Sequence, residues 1–445
     1  MARRGGAGDL HNMHCKGAFR SYHCAYLITN DELGVLGMWK RALCIGALAL
    51  AATGHAQTLQ RDEPPVLRQS DFESCLAGLQ KSAGFTGISA STWQRYVNGL
   101  QPDATVLPLL NRQPEFSMPV WDYMAVLVDH ERVAAGRAAF QKWQPQLQRI
   151  AQQYGVEPAM VVGVWGVESN FGQNLGGRPL LQSLSTLSCF GRRQAYFRTE
   201  FAATLKILQE GSVPVEKLTG SWAGAFGQTQ FMPSTFLRLA VDGDGDGRRD
   251  IVSSVPDALA STANFLKRAG YRMGEPWGFE VKLPAGMNTS GAGRRNKRDM
   301  AYWRNQGVRL ANGGELPSNM ASAGLLLPAG KNGPAFLVGR NFDTLYSYNA
   351  SENYALAIAH LSELVNSRRS PGFATAWPTD DPGLSRAENR ELQELLLKRG
   401  HKIGQADGMI GAMTRDAIRA EQRLLGMSAN GRAGQKLLRA LRTPQ

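Results

Sequence analysis

Nine consecutive uncharged residues, Ala159–Val167 (AMVVGVWGV), run directly into a carboxylate, Glu168. Pro158 opens the run, at the position where a helix has no use for the N–H that proline lacks. A helix that is apolar on every side has to be buried on every side, so the chain must pack a core around this segment. Composition agrees: 43% of the 445 residues are hydrophobic and 20% charged, which excludes a disordered tail protein, a collagen and a coiled-coil rod. Glu168 falls at the C-terminal end of the buried helix, where desolvation and the negative end of the helix dipole both favour the protonated acid. A carboxyl kept neutral near pH 7 is what a general acid requires. The plainer reading is a helix end that faces water or pairs with an arginine.

The length suggests about three domains. Ser70-Asp71-Phe72-Glu73 and Ser91-Thr92-Trp93-Gln94 have capping-box spacing ahead of apolar residues at helical intervals. Val120–Trp143 continues the helical pattern up to a break at Pro145, and Gln146–Tyr154 resumes it before Gly155. Residues 273–345 are rich in Gly, Pro and Asn and read as loops with a few strands, Ala335–Val338 among them. Asn353–Asn366 returns to helix, and Ser367–Gly383 reads as a linker. The last sixty residues predict three short helices, marked by Leu392, Leu395 and Leu396, by Ala417, Ile418 and Leu425, and by Leu437, Leu438 and Leu441. Two similar turns, DGMIG from Asp407 and NGRAG from Asn430, separate them, as in a small recognition module.

From Met38 the chain reads MWKRALCIGALALAATGHAQ. A positive start, an apolar stretch from Ala42 to Ala52 and small residues at Gly54–Ala56 make the three-part layout of a secretory signal peptide, cut after Ala56. Residues 1–37 then read as an upstream extension that is not native, and 38–56 as the signal peptide. Removing 1–56 takes away six Lys/Arg and three Asp/Glu, which lowers the net charge from +13 to +10. A basic chain favours a polyanionic partner, and nucleic acid, anionic lipid and bacterial wall polymer all fit the charge alone; export then makes nucleic acid an unsuitable one. No apolar run reaches the roughly 20 residues of a membrane helix, so no transmembrane segment is expected in the mature chain. The cut leaves Cys75 and Cys189, a disulfide candidate in an oxidising compartment. Two small buried apolar residues are the equal alternative, since Cys75 shares a helix face with Phe72, Leu76 and Leu79.

GVWGVESNFG, then SWAGAFGQTQFMPSTF (Ser221–Phe236), then YNASENY (Tyr348–Tyr354) occur in that order. Together they resemble the membrane-bound lytic murein transglycosylase B family, whose catalytic domain is lysozyme-like. The resemblance runs from about Phe72 to Val365. The C-terminal sixty residues separately resemble a peptidoglycan-binding domain with a DGxxG…T…A pattern. The expected fold is therefore mainly α (α+β). A lysozyme-like helical catalytic domain with small loop and strand insertions spans residues 57–366, a linker 367–384, and a three-helix peptidoglycan-binding module 385–445.

The resemblance implies a periplasmic enzyme that cuts the β-1,4 bond between N-acetylmuramic acid and N-acetylglucosamine without using water. It makes Glu168 first the acid on the glycosidic oxygen, then the base on the muramoyl C6 hydroxyl as a 1,6-anhydro ring closes. One residue in both roles removes the need for the second carboxylate of ordinary glycosidases. It implies that Ser221, Gln230 and Asn349 hydrogen-bond N-acetyl groups or the reacting sugar, and that Tyr348 and Tyr354 lie against sugar rings. A helix cap for Ser221, a buried structural amide for Gln230 and core packing for the tyrosines stay open beside those roles. The implied partners are peptidoglycan strands and proteins of wall synthesis or remodelling. Two rival readings are a hydrolytic muramidase of similar fold and a catalytically silent peptidoglycan-binding scaffold.

AVDGDGDGRRDI places Asp242, Asp244, Asp246, Arg248 and Asp250 at positions one, three, five, seven and nine of a calcium loop, with Arg248 offering its backbone carbonyl. Ser253 stands where the usual position-twelve glutamate would be, and the family pattern assigns Asp257 that last carboxylate. A structural calcium is the expected ligand, with no cofactor for the chemistry; an Asp/Gly-rich surface turn without metal is the alternative. Arg294, Arg295, Lys297 and Arg298 form a basic run that reads as solvated surface.

Overall fold

The computed structural model describes residues 65–111, 118–367 and 372–443. The upstream extension, the signal-peptide segment with its cut after Ala56, and the start of the linker at 368–371 lie outside the described residues. The chain is mainly helical with two small sheets. Helices α1 (Gln69–Gln80), α2 (Ala90–Tyr96), α3 (Val120–Leu127), α4 (His130–Lys142), α5 (Gln144–Tyr154) and α6 (Pro158–Ser169) are followed by strand β1 (Arg178–Pro179), α7 (Leu180–Cys189) and α8 (Gln194–Glu210). Strand β2 (Thr219–Gly220) pairs antiparallel with β1, and α9 (Pro233–Leu239) and α10 (Val255–Arg268) come next. Helices α12 (Arg340–Asn349) and α13 (Glu352–Val365) close this body.

The all-apolar helix organises the larger core. Met160 to Gly166 of α6 are buried without exception, and α13 lies along them with Ala355–Leu361 equally buried. Glycines set the spacing between the two. A Cβ at Gly163 would stand 3.0 Å from the Ile358 carbonyl oxygen and 3.0 Å from Ser362 Cβ, and one at Gly166 2.7 Å from Phe171 Cζ. A helical glycine costs about 0.5–1 kcal/mol against alanine, whereas each large aliphatic side chain buried by the close approach returns about 1.5–3 kcal/mol. Packing therefore overrides propensity. A second core, built on α1, α2, α7, α8 and α9, is aromatic, with Phe197, Phe201, Phe226, Phe231 and Phe236 fully buried. Phe265 and Tyr348 pack against both cores, their rings 4.5 Å apart. Cys75 of α1 and Cys189 at the end of α7 are joined by a disulfide that closes 114 residues of sequence.

Three helix starts differ from the sequence expectation. The N-cap of α2 is Ser89 and not Ser91: Ser89 Oγ accepts from Thr92 N at 3.1 Å, and Gln209 Oε1 of α8 accepts the Ser89 N–H at 2.7 Å. A tertiary amide thus replaces the glutamine of the expected box. Helix α1 begins at Gln69, behind Arg68, without a side-chain cap. Val120–Trp143 is two helices, because the Asp129 carboxylate accepts Arg132 N at 2.7 Å and starts α4 afresh. The break expected at Pro145 is present: α4 ends at Lys142 and α5 opens at Gln144, with Pro145 in its first turn.

Residues 273–345 carry more regular structure than their composition suggests. Strands β3 (Gly278–Lys282), β4 (Arg298–Asp299), β5 (Arg309–Leu310), β6 (Ser322–Leu326) and β7 (Ala335–Val338) form one antiparallel sheet in the order β4-β6-β7-β3-β5, with α11 (Met300–Asn305) beside it. The basic run is not uniformly solvated. Arg294 is buried, 2.9 Å from Asp343 and 3.5 Å above the ring of Tyr346, and Lys297 lies 2.8 Å from Asp343. These contacts pin the sheet to α12, and only Arg295 and Arg298 of the run are exposed.

The C-terminal module has α14 (Arg386–Lys398), α15 (Ala412–Leu424) and α16 (Gln435–Arg442) around Leu392, Leu396, Ile418 and Leu438. Its two similar turns are gripped alike. Gln393 accepts from Gly408 N at 2.7 Å and donates to Asp407 at 3.0 Å; Gln422 accepts from Gly431 N and donates to Asn430, both at 2.8 Å. The module rests on the body through ion pairs. Arg432 meets both Asp122 carboxylate oxygens at 2.6 and 2.7 Å, Arg386 reaches Asp129 at 3.2 Å, and Arg390 reaches Glu131 at 2.5 Å. The described part of the linker is packed too, with Phe373 against Phe336 and His360.

Gly163→Val forces α13 away from α6. We expect it to cost about 1–3 kcal/mol, the usual range for overpacking, read as a lowered thermal midpoint with helical content kept below the transition.

Candidate active site

Glu168 is the penultimate residue of α6, partly exposed and two residues past the wholly buried stretch. The chain then turns sharply. Asn170 and Phe171 both take left-handed backbone angles, φ 50° and 59°, ahead of Gly172 at 81°. Left-handed backbone is costly for residues with a Cβ, and side-chain bonds hold it here. Ser169 Oγ accepts Gly172 N–H at 2.9 Å and donates to the Gln228 carbonyl at 2.7 Å, while the Phe171 ring packs edge-on against Trp165. The non-glycine positive-φ residues among the described ones are Asn170, Phe171, Arg193, Gln230 and Ala350. Gln230 is a candidate site residue, Ala350 adjoins Asn349, and Asn170 and Phe171 lie within three residues of Glu168, so four of the five fall where the chemistry is expected.

The second wall is the segment after β2. Ser221 Oγ accepts Ala225 N–H at 3.0 Å within a tight turn, so the serine closes that turn and does not cap a helix. Gln230 has φ 49° and donates through Nε2 to the carbonyls of Leu175 at 3.1 Å and Gly227 at 2.9 Å. Its amide nitrogen is structural, which leaves Oε1 as the atom it can offer a ligand. Gln228 was not singled out in the sequence. It is 5% exposed, accepts Trp165 Nε1–H at 3.1 Å through Oε1 and donates to Val252 O at 3.2 Å. Together with the Ser169 bond to its backbone, it ties the end of α6 to the second wall and to the acidic loop. The signal was a second amide in the same Gly- and Phe-rich segment as Gln230, since such a group is buried only when paired.

The third wall is the junction of α12 and α13. Asn349 ends α12 half-buried, and Ala350 turns the chain at φ 48°. Tyr348 donates to Thr229 O at 2.9 Å and stacks on Tyr354 with ring centres 6.2 Å apart. Tyr354 is 3% exposed, and its hydroxyl donates to Glu168 Oε1. It therefore presents an O–H to the carboxylate and not a ring face to solvent. Burial, then the negative charge of Glu168, push both tyrosine hydroxyls well above their ordinary range, so both stay protonated donors. Glu168, Ser221, Gln230, Tyr348, Asn349 and Tyr354 thus lie on three segments that meet where the two cores join.

In the acidic loop, carboxylate oxygens of Asp242, Asp244 and Asp257 lie within 4.8 Å of one another. Asp257 is 1% exposed; burial, with the charges of Asp244 and Asp242, raises it above the usual carboxylate range although Gly243 and Asp250 N–H groups bond to it. Such a cluster suits a hard cation. Asp246 and Asp250 are not part of it. Asp246 accepts Arg248 N–H at 2.8 Å, and Asp250 accepts from Val252 and Ser253 and faces Lys217.

Comparison with known proteins bears on this geometry. Residues 71–363 match the family described as transglycosylase SLT domain, and residues 385–441 match a peptidoglycan binding domain family. Membrane-bound lytic murein transglycosylase B of Escherichia coli is 33% identical over 249 residues, 55% of this chain and 66% of that protein. SltB3 of Pseudomonas aeruginosa, solved in complex with NAG-anhNAM-pentapeptide, is 46% identical with a TM-score of 0.66, covering 84% of this chain and 99% of that one. The Escherichia coli lytic transglycosylase Slt35, solved in complex with calcium, is 29% identical with a TM-score of 0.57, covering 66% and 92%.

Gln228→Leu removes the partners of Trp165 Nε1–H and Val252 O while keeping similar volume. Two buried groups left unpaired cost about 1–3 kcal/mol each. The expected result is a clear fall in thermal midpoint together with loss of turnover, measured on the same preparation.

Proposed function

The chain belongs to the transglycosylase SLT family and carries a peptidoglycan-binding domain, and from that membership we propose a periplasmic lytic transglycosylase that cleaves peptidoglycan between N-acetylmuramic acid and N-acetylglucosamine to leave 1,6-anhydromuramoyl ends. The observation that carries the reading is the hydrogen bond from Tyr354 to Glu168 at the open end of a buried helix.

Glu168 enters protonated and gives its proton to the glycosidic oxygen as the C1–O bond breaks. Its carboxylate is then held by the Tyr354 hydroxyl, a donor that keeps its own proton. The same carboxylate takes the proton from the muramoyl C6 hydroxyl while that oxygen bonds to C1. Protons balance over the cycle, and water is not consumed. Gln230 Oε1 and Asn349 hold the sugar in attack geometry. The single-carboxylate scheme is supported by how other buried carboxylates among the described residues are engaged. Asp122 and Asp129 face arginines of the C-terminal module, Glu200 accepts from Ser234, and Glu421 faces Arg399 and His401. The anhydro-sugar ligand of the SltB3 complex is the kind of product this reaction leaves.

Mass spectrometry of sacculus digests tests the reaction. Muropeptides one water lighter than hydrolysis products, without a reducible end, are expected; reducing ends would mean a water-using muramidase. Glu168→Gln should lower turnover by at least about 10²–10⁴-fold, the range for a general acid–base, with the fold and sacculus binding kept. Tyr354→Phe removes a donor to the charged form of the acid, so the alkaline limb of kcat/KM should move to higher pH while turnover falls.

Asp242, Asp244 and Asp257 would hold a structural calcium, which would supply fold stability and no chemistry. Calcium at about 100 times its Kd should add about 2.7 kcal/mol. The thermal midpoint should rise accordingly, fall back with chelator, and show no rise in Asp257→Asn.

A further inference from the structure

The cation nearest in sequence logic to none of the motifs is Arg132 of α4, only 5% exposed. Its Nη1–H donates at 2.7 Å to the carbonyl of Gly166, which already accepts the Asn170 N–H at 3.1 Å. That carbonyl belongs to the last turn of α6, two residues before Glu168. Arg132 thus places positive charge on the exposed negative end of the helix dipole and fixes the turn that carries the acid. Its Nε–H is buried without a partner, and the Gly166 carbonyl is the acceptor of its Nη1. Burial and the nearby Arg386 charge lower the guanidinium to about 10, which leaves it a cation at neutral pH.

Arg132 is also tied to the C-terminal module. The Asp129 carboxylate, 6% exposed, accepts Arg132 N–H through Oδ1 at 2.7 Å. Its Oδ2 accepts both the backbone N–H and the Nε–H of Arg386, the first residue of α14, at 3.2 Å. One buried carboxylate therefore touches the module on one side and the start of the Arg132 helix on the other. We propose that Arg132 is a positioning residue for Glu168, and that docking of the C-terminal module sets its position through Asp129. With Arg386 withdrawn, Oδ2 loses both of its donors, and the carboxylate that caps α4 through the Arg132 N–H is no longer held from the module side. A shift of that capped first turn moves the Arg132 guanidinium on the Gly166 carbonyl and with it the turn beneath Glu168.

The inference rests on the Glu168 reading, and the experiment separates the two. Turnover of a soluble short glycan is compared for the mature chain and for Arg386→Gln, Arg132→Gln, Arg132→Lys, the double Arg132→Gln/Arg386→Gln, and Glu168→Gln, each checked by circular dichroism and thermal midpoint. A misplaced acid can cost up to about 100-fold. Arg132→Gln is therefore expected to lower kcat about 10- to 100-fold with KM within about twofold, and Arg132→Lys to recover part of that loss. Arg386→Gln is expected to lower kcat a few-fold on the short glycan, and the double variant to be no worse than Arg132→Gln, since coupled sites are not additive. Unchanged kcat in Arg386→Gln, or full additivity in the double variant, would overturn the link to the module. Equal loss in Arg132→Gln and Arg132→Lys tracking only a lowered midpoint would overturn the positioning role. Normal turnover by Glu168→Gln would instead overturn the reading beneath it.

Discussion

The packing of α6 against α13 and α4 decides the rest of the body. Gly163 and Gly166 admit α13, and Gly136 on α4 is just as crowded, with a Cβ there meeting Val365 Cγ2 at 2.6 Å. The three helices therefore sit closer than side-chain-filled helices could, and Glu168 leaves them from a fixed point. Phe171, whose ring fills the space beside Gly136 and Gly166, links this packing to the strained turn after Glu168. Shape at the core thus becomes geometry at the carboxylate, with no flexible segment between them.

Much of this was legible in the sequence. The uncharged run predicts a buried helix ending at Glu168, and Met160–Gly166 are buried as that requires. The family resemblance, the mainly helical fold and the peptidoglycan-binding module agree with the matches found. What escaped reading depends on partners distant in sequence. Ser89 caps α2 because Gln209 arrives from α8. Gln228 is a brace only because Trp165 and Val252 converge on it. Residues 273–345 predict strands, and Ala335–Val338 is one of them, but their joining into a five-stranded sheet was not legible, because strands of two to five residues are stabilised by one another. Arg294, read as surface, is drawn inward by Asp343 and the Tyr346 ring. Periodicity and spacing describe a segment's own face, and these residues are defined by someone else's.

Charge is distributed with equal economy between the two domains. The basic module turns Arg386, Arg390 and Arg432 to an acidic patch of Asp122, Asp129 and Glu131 at the junction of α3 and α4. Arg386–Asp129 and Arg432–Asp122 are the more buried of these pairs, and removing one member of such a pair is more damaging than the pair is favourable, whereas Arg390–Glu131 is exposed. The break between α3 and α4, absent from the sequence expectation, is what brings that acidic patch to the surface the module needs.

Phe265 and Tyr348 belong to both cores at once. Separating the two lobes would therefore expose aromatic surface that each now covers for the other. Any opening between the walls of the site thus costs buried area in both cores, and a change made in either one is felt in the other.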